Sequence, residues 1–448
     1  MLLDITTPVP RNIPLPLPLP EWLLVTILIV SFLVHIVFVN LMVGGSILTL
    51  WYQVKGRKNK DYLNLSYEIA RTITVNKSLA VVLGIAPLLS LSVLYPIYFY
   101  SATSLTGVVW VALIPLVTIA FLLTYLHKYT FRPMAEKNRG LSVAMIAVAT
   151  LLFLFIPFIF LVNINLMLFP DKWSEVKGFF SALLLQNVLP RYFHFMCASL
   201  AATGLFLFWY MGRKKYPFEK HFKEFTRYEV KKKAYTVTLG ATFAQFIFGP
   251  LLMYTLPARG FSWELIILIL CGVILAIIAM YWMWQSIKGT PENINRHFYK
   301  VVVALSITVL FMGTGRHVYR ATALAPHQKI MAEETDEFEQ LSKEAREKSD
   351  SVKTDSTALT ASNDPVLQGK MIFQQNCASC HTEKQRLVGP PVLEMVSIYA
   401  DNKTGLEQWI KKPGKKRPGY PQMPTLTQLT DVDREKLADY ILSFKNKK

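Results

Sequence analysis

The sequence predicts an all-α membrane protein, a bundle of eight transmembrane helices followed by a small α-helical domain outside the bilayer. Three observations carry this. Eight apolar runs are each long enough to cross a hydrocarbon core of about 30 Å as a helix. Hydrophobic residues make up 52% of the 448 and charged ones 17%, a balance too apolar for a soluble chain alone. Beyond residue 363 apolar residues recur at helical spacing among polar ones, as in a compact soluble domain.

Taken in order, residues 1–20 carry prolines at 8, 10, 14, 16, 18 and 20 with Arg11 the only base. That predicts an extended arm rather than a signal peptide, because the basic n-region and small-residue cleavage site are missing. The eight runs follow at about 21–51, 77–100, 107–127, 141–169, 190–212, 235–256, 263–287 and 300–319, giving a bundle over 21–330. The net charge of +18 would suggest nucleic acid in a soluble protein. Here the bases gather in alternate short loops, among them Lys55 to Lys60, Lys128 to Arg139 and nine between Arg213 and Lys233, while the opposite loops hold only Arg11, Lys172, Lys177, Arg191 and Arg259. Nucleic acid is excluded as a partner. The positive-inside rule puts the N-terminus outside, and eight spans return the chain to that side. Residues 331–363 turn acidic and then rich in Ser and Thr, which predicts an exposed helix from Glu333 to about Lys348 and a flexible tether after it.

The domain at 364–448 contains Cys377-Ala378-Ser379-Cys380-His381. A C-x-x-C pair followed at once by histidine is the c-type haem attachment signal: each thiol bonds one vinyl group and the adjacent imidazole reaches the iron. A zinc or thioredoxin-like pair would need a second ligand pair or a βαβ context, and neither is present. Gly369, Met371 and Phe373 precede the motif as a short helix, and Gly389-Pro390-Pro391 follows it as a rigid turn past the histidine. Asp431 and Asp433 begin a helix whose Leu437, Tyr440, Ile441 and Phe444 recur at helical spacing. The whole segment resembles a class I cytochrome c. Met423, fixed between Pro421 and Pro424, suits the sixth iron ligand, with Met371 and Met395 as competitors that read as core filler. Haem c is attached on the outer face of bacterial inner membranes, in agreement with the topology.

The remaining cysteines, Cys197 and Cys271, sit singly in apolar runs and read as buried structural thiols. Of the eight histidines, His127, His221, His297 and His327 fall in loops or at helix ends and read as solvated or interfacial. His35, His194 and His317 fall within the membrane or a turn of its outer boundary. An ionisable group there needs a partner, and in an electron-transfer protein haem iron is the default. Small residues follow His35 (Gly44, Gly45) and His194 (Ala198, Ser199, Ala201), letting a macrocycle or a helix approach. Arg191 lies one turn from His194, and Arg316 and Arg320 flank His317, placed to pair with haem propionates.

In these residues the membrane region is similar to subunit I of the cytochrome bd quinol oxidases over about 300 residues. The resemblance implies that His35 and His194 ligate b-type haems, and Gly315-Arg316 is similar to the family's Gly-Arg-Gln-Pro-Trp segment, with His317 in place of the glutamine. There are departures. The outer half of helix seven lacks the family's methionine ligand, which leaves His317 to supply it. Helix three has no acidic residue from Gly107 to Leu126, and the quinol loop shrinks to Pro257–Ser262. The expected cofactors are one covalent haem c and one or two haems b, with quinone as substrate. The expected function is electron transfer between the quinone pool and a periplasmic carrier, in either direction, within a bacterial inner membrane. Alternatives are a terminal oxidase subunit, for which Glu264 is the one acidic candidate, and a non-enzymatic anchor for a cytochrome c in a respiratory complex. The chain alone is not expected to reduce oxygen. From Pro365 onward 14 Lys plus Arg face 8 Asp plus Glu, and Lys411, Lys412, Lys415, Lys416 and Arg417 cluster just before Met423. They predict docking to an acidic redox partner or respiratory-complex subunit.

Overall fold

The computed structural model describes residues 17–359, 364–415, 419 and 421–446, without the side chains of 74–78, 135–136, 345–359 and 446. The expected arm, as far as residue 16, lies outside them, as do Lys416, Arg417 and Tyr420. The described chain is helical without β-strands and divides into two compact units, Met1–Thr335 and Asp336–Lys448.

In the first unit the long helices are α1 (Glu21–Lys55), α2 (Lys60–Leu94), α3 (Pro96–Thr106), the single turn α4 (Val108–Val111), α5 (Leu113–Lys137) and α6 (Arg139–Leu166). They are followed by the short α7 (Phe179–Leu183), α8 (Val188–Gly212), the turn α9 (Phe218–His221), α10 (Arg227–Tyr254), α11 (Trp263–Lys288) and α12 (Phe298–Leu359). Local chemistry sets the starts. The Asn59 side chain accepts from the Asp61 and Tyr62 amides to open α2, Thr226 and Glu229 form a capping box for α10, and Ser262 caps α11.

Seven helices are long and apolar enough to cross a membrane, or eight if one bent pair counts as a span. The bent pair is the correction to the expected span at 77–100. Helix α2 stops at Leu94, and α3 leaves it at 111°, because Tyr95 precedes Pro96 and is pushed out of the helical region. The break does not shorten the pairing of α2 with α1. Gly56 lies against Leu63, Gly45 against Ile73 and Gly84 against His35, so α2 runs antiparallel along the whole of α1 and ends level with its start. We call the end of the bundle where α1 begins the outer end.

The second departure is α12. Its membrane part continues without a break to Leu359 where a tether was expected. Residues 327–359 contain neither glycine nor proline, and their Ala, Glu, Lys and Leu favour helix more than the Ser and Thr oppose it.

Small residues hold the bundle centre. A Cβ on Gly44 would stand 2.3 Å from the Ser199 carbonyl oxygen, and one on Gly204 2.7 Å from the Ala234 carbonyl oxygen. Those are backbone-to-backbone approaches that only glycine allows. Ser199 Oγ donates to Asn40 Oδ1 at 2.9 Å and Thr203 Oγ1 to the Asn40 carbonyl at 3.2 Å, fixing α8 parallel to α1. At the inner end, the Asp61 carboxylate accepts from the amides of Lys223, Glu224 and Phe225.

In the second unit α13 (Pro365–Asn376) crosses α16 (Asp431–Ser443), with α14 (Val392–Tyr399) and α15 (Lys403–Lys411) between them in the chain. The crossing is close because Gly369 has no side chain: a Cβ there would lie 1.9 Å from the Lys436 carbonyl oxygen. Phe373 and Tyr440 meet beside it at 5.4 Å between ring centroids. Phe373, Val392, Val396, Leu406, Leu437 and Ile441 fill the core.

Candidate functional site

Helix α13 ends at Cys377, and the turn that follows is closed by the Cys380 and His381 amides donating to the Cys377 carbonyl. Both thiols are free, Cys377 buried and Cys380 half-buried. Burial, with Cys380 nearby, pushes the Cys377 thiol up to about 11, so it stays protonated at neutral pH. His381 is 9% exposed. Its Nδ1 sits 2.8 Å from the Pro390 carbonyl oxygen. A ring nitrogen beside a carbonyl oxygen donates, which orients the imidazole and leaves Nε2 as a lone-pair donor. Gly389 makes room for this, since a Cβ there would lie 2.1 Å from His381 Cε1. The donor set therefore fits a covalently held haem with a histidine ligand. Met395 packs against the domain core. Met423 is half-buried on its proline-flanked segment and takes no part in that core, which leaves its thioether for another role.

The bundle histidines are brought together only in part. Ser199 pairs with Asn40, and His194 and His35 each lie five residues towards the outer end, so the two are level. On parallel helices the same five-residue step turns both side chains the same way by roughly 140°, so they diverge. His35 meets α2 at Gly84, where a Cβ would stand 2.9 Å from its ring, with the Ala80 backbone also nearby; His194 meets α10 at Gly249. The arrangement is an internal repeat. His194 and Gly204 are each 159 residues beyond His35 and Gly45, and Thr238 and Gly249 each 165 beyond their counterparts Ile73 and Gly84. Gly84 and Gly249 went unnoticed in the sequence, where that recurrence was the available signal.

His317 lies at a different depth from these two. Gly313 touches Leu33, which places His317 roughly 9 Å nearer the outer end than His35 at 1.5 Å per residue. It shares one face of α12 with Arg316 and Arg320. Arg316 lies over the Phe32 ring at 4.8 Å and Arg320 over Tyr95 at 5.3 Å. Arg191 on α8 is within electrostatic range of both. No ion pair is described for any of these three guanidiniums, although Arg320 is only 6% exposed. Cations gathered and shielded in this way are costly without an anion.

Three features fit a bound macrocycle. The Nδ1 atoms of His35, His194 and His317 are buried without a hydrogen-bond partner, glycines lie against two of the rings, and no residue of α1 between Leu28 and Leu41 is buried, against ten from Leu41 to Gln53. Among the described residues no three of His, Cys, Asp and Glu converge as a metal site.

Two histidines read as solvated or interfacial are buried. His127 is 1% exposed and meets Gln53 Oε1 at 2.9 Å, while Gln53 in turn donates to Ser142. His327 is 2% exposed and bonded to Tyr98. His221 and His297 are half-buried, stacked on Tyr216 and Trp282. Cys197 and Cys271 are also half-buried rather than buried.

The cytochrome c family model matches residues 366–445. A cytochrome c6 of Cyanidioschyzon merolae is 31% identical over 79 residues, 17% of this chain and 73% of that protein. A cytochrome c-552 of Nitrosomonas europaea is 33% identical over 75 residues, 16% of this chain and 73% of the relative.

Proposed function

Through its C-terminal domain the chain belongs to the cytochrome c family, and on that premise we propose that it carries electrons between the quinone pool and an acidic redox protein on the outer side of a bacterial inner membrane. The cytochrome domain makes it an electron-transfer protein with a covalent haem c, and its apolar helices make it a membrane protein. The observation that carries the finer reading is the set of buried, unpartnered imidazole nitrogens beside three unpaired arginines. His194 and His317 with Arg191, Arg316 and Arg320 would hold one haem b by its iron and propionates, and His35 against Gly84 a second. Haem b and haem c, when bound, each supply a one-electron iron couple. The protein residues orient the rings, offset the propionate charge and exclude water. In the second unit His381, held by Pro390, and Met423 would hold the iron of haem c. The membrane part is then a relative of the bd-type subunit I without its oxygen-reducing site, since residues 107–126 carry no carboxylate.

The test is the pyridine haemochrome spectrum of the purified full chain, with oxygen uptake on a reduced quinol analogue. Haem b beside haem c, and electron delivery to an external cytochrome without cyanide-sensitive uptake, support the reading. Haem c alone would favour the anchor, and brisk uptake with a carbon monoxide shift in the haem b band the oxidase.

Docking is expected through the basic segment after α15. Lys412 and Lys415 are exposed there, while Lys411 bonds Asp431 at 3.0 Å and, with Arg434, holds its carboxyl below the usual range. Lys411 is thus partly committed within the domain. Electron exchange with an acidic partner should slow severalfold as ionic strength rises past the point where the Debye length falls below about 8 Å. A rate indifferent to salt would sink this surface as the docking site.

A further inference from the structure

At the outer end of the bundle, His327 Nδ1 lies 2.8 Å from the Tyr98 hydroxyl. The bend after α2 lays Tyr98 there, and Trp173 closes the group, its ring 6.1 Å from Tyr98 and 6.2 Å from His327. Trp173 is itself tied down, its Nε1 donating to the Leu166 carbonyl at 3.0 Å. His327 is 2% exposed, yet its Nε2 has no partner. Next to Leu166, Asn165 is fully buried with its whole amide unpartnered. A histidine kept only for packing would not leave its second nitrogen shielded and unbonded.

We propose that the Tyr98–His327 pair takes the hydroxyl proton of a quinol bound at this end of the bundle, with Nε2 as the acceptor. This rests on the quinol reading above and adds the residue that handles its protons. Hydroxyl and imidazole can exchange roles: when Nδ1 carries the proton it donates to Tyr98 and Nε2 offers a lone pair; when Tyr98 donates to Nδ1, Nε2 carries the proton. A quinol oxidised to quinone breaks two O–H bonds and gives up two electrons. A haem held by the bundle would supply the one-electron acceptor for these electrons. One proton goes to Nε2, and the Nδ1 proton moves on to the Tyr98 oxygen as that hydroxyl releases its own outward; the second quinol proton is released to water. With His35, His194 and His317 assigned to iron, His327 is the remaining histidine at the outer end. The charged groups facing it are Arg259 and Asp171, which pair with each other at 3.0 Å, and Arg320 and Lys329 lie along its own helix.

The experiment uses the full chain loaded with its haems, a short-chain naphthoquinol and the matching benzoquinol as donors, and an external cytochrome as acceptor. His327→Ala should lower quinol oxidation about 100-fold, the usual scale for losing a general base, with haem content and dye-driven reduction of haem c unchanged. Tyr98→Phe keeps the imidazole but cuts the relay, so it should shift the pH profile of kcat/KM. His327→Gln, which fills the same space and offers no base, should behave as the alanine variant. If the wild-type chain oxidises neither quinol, the quinol reading itself falls. If it oxidises one and His327→Gln stays within about threefold of it, with an unmoved pH profile in Tyr98→Phe, the relay is overturned while the quinol reading stands.

Discussion

Replacing Cys377 and Cys380 together by serine removes covalent haem from the protein completely. A thioether needs a thiol to add across each vinyl group, and the other two cysteines, Cys197 in α8 and Cys271 in α11, stand singly without a neighbouring thiol and histidine in the sequence. Each single serine variant keeps one thioether and should still carry haem through denaturing electrophoresis, at reduced yield. The double variant should carry none, while haem b extracted from the bundle stays at the wild-type level, because the two compact units are separate. His381→Ala gives a complementary result. Its thioethers can still form, but the ring that Pro390 aims is gone, so haem c remains attached and loses its low-spin spectrum. Haem-stained full-length chain in the double variant would refute the assignment.

The second large effect is separable loss of haem b. His35 and His194 are level on parallel helices but face opposite ways, one against Gly84 and the other against Gly249. His35→Ala should therefore remove about half of the haem b and His194→Ala the other half, with the double variant retaining haem c alone. His317→Ala should resemble His194→Ala, since its face of α12 carries the arginines that Arg191 approaches. Gly84→Leu offers a route that leaves every candidate ligand in place: a Cβ there already meets the His35 ring at 2.9 Å, so the added bulk should evict the His35-side haem and spare the other. Retention of full haem b in both single histidine variants would end the ligand assignment, and loss of all of it in either one would mean a single shared site.

What the sequence alone determined follows from constraints that act on contiguous residues. Bilayer thickness demands long apolar runs, insertion demands alternating basic loops, and haem attachment demands two thiols and an imidazole within five residues. The membrane bundle and the Cys377–His381 site were legible on those grounds. The helix break at Tyr95–Pro96 falls inside a span expected to run unbroken over 77–100, and the antiparallel contact of α2 with α1 shows that α2 nonetheless runs along the whole of α1. The facing of His35 away from His194, the gathering of Arg191, Arg316 and Arg320, and the burial of His327 under Tyr98 were decided by tertiary structure. Each depends on which face of a helix meets which neighbour. That choice is made by glycines and hydroxyls such as Gly44 and Ser199, which let backbones more than a hundred residues apart in the chain approach within van der Waals contact.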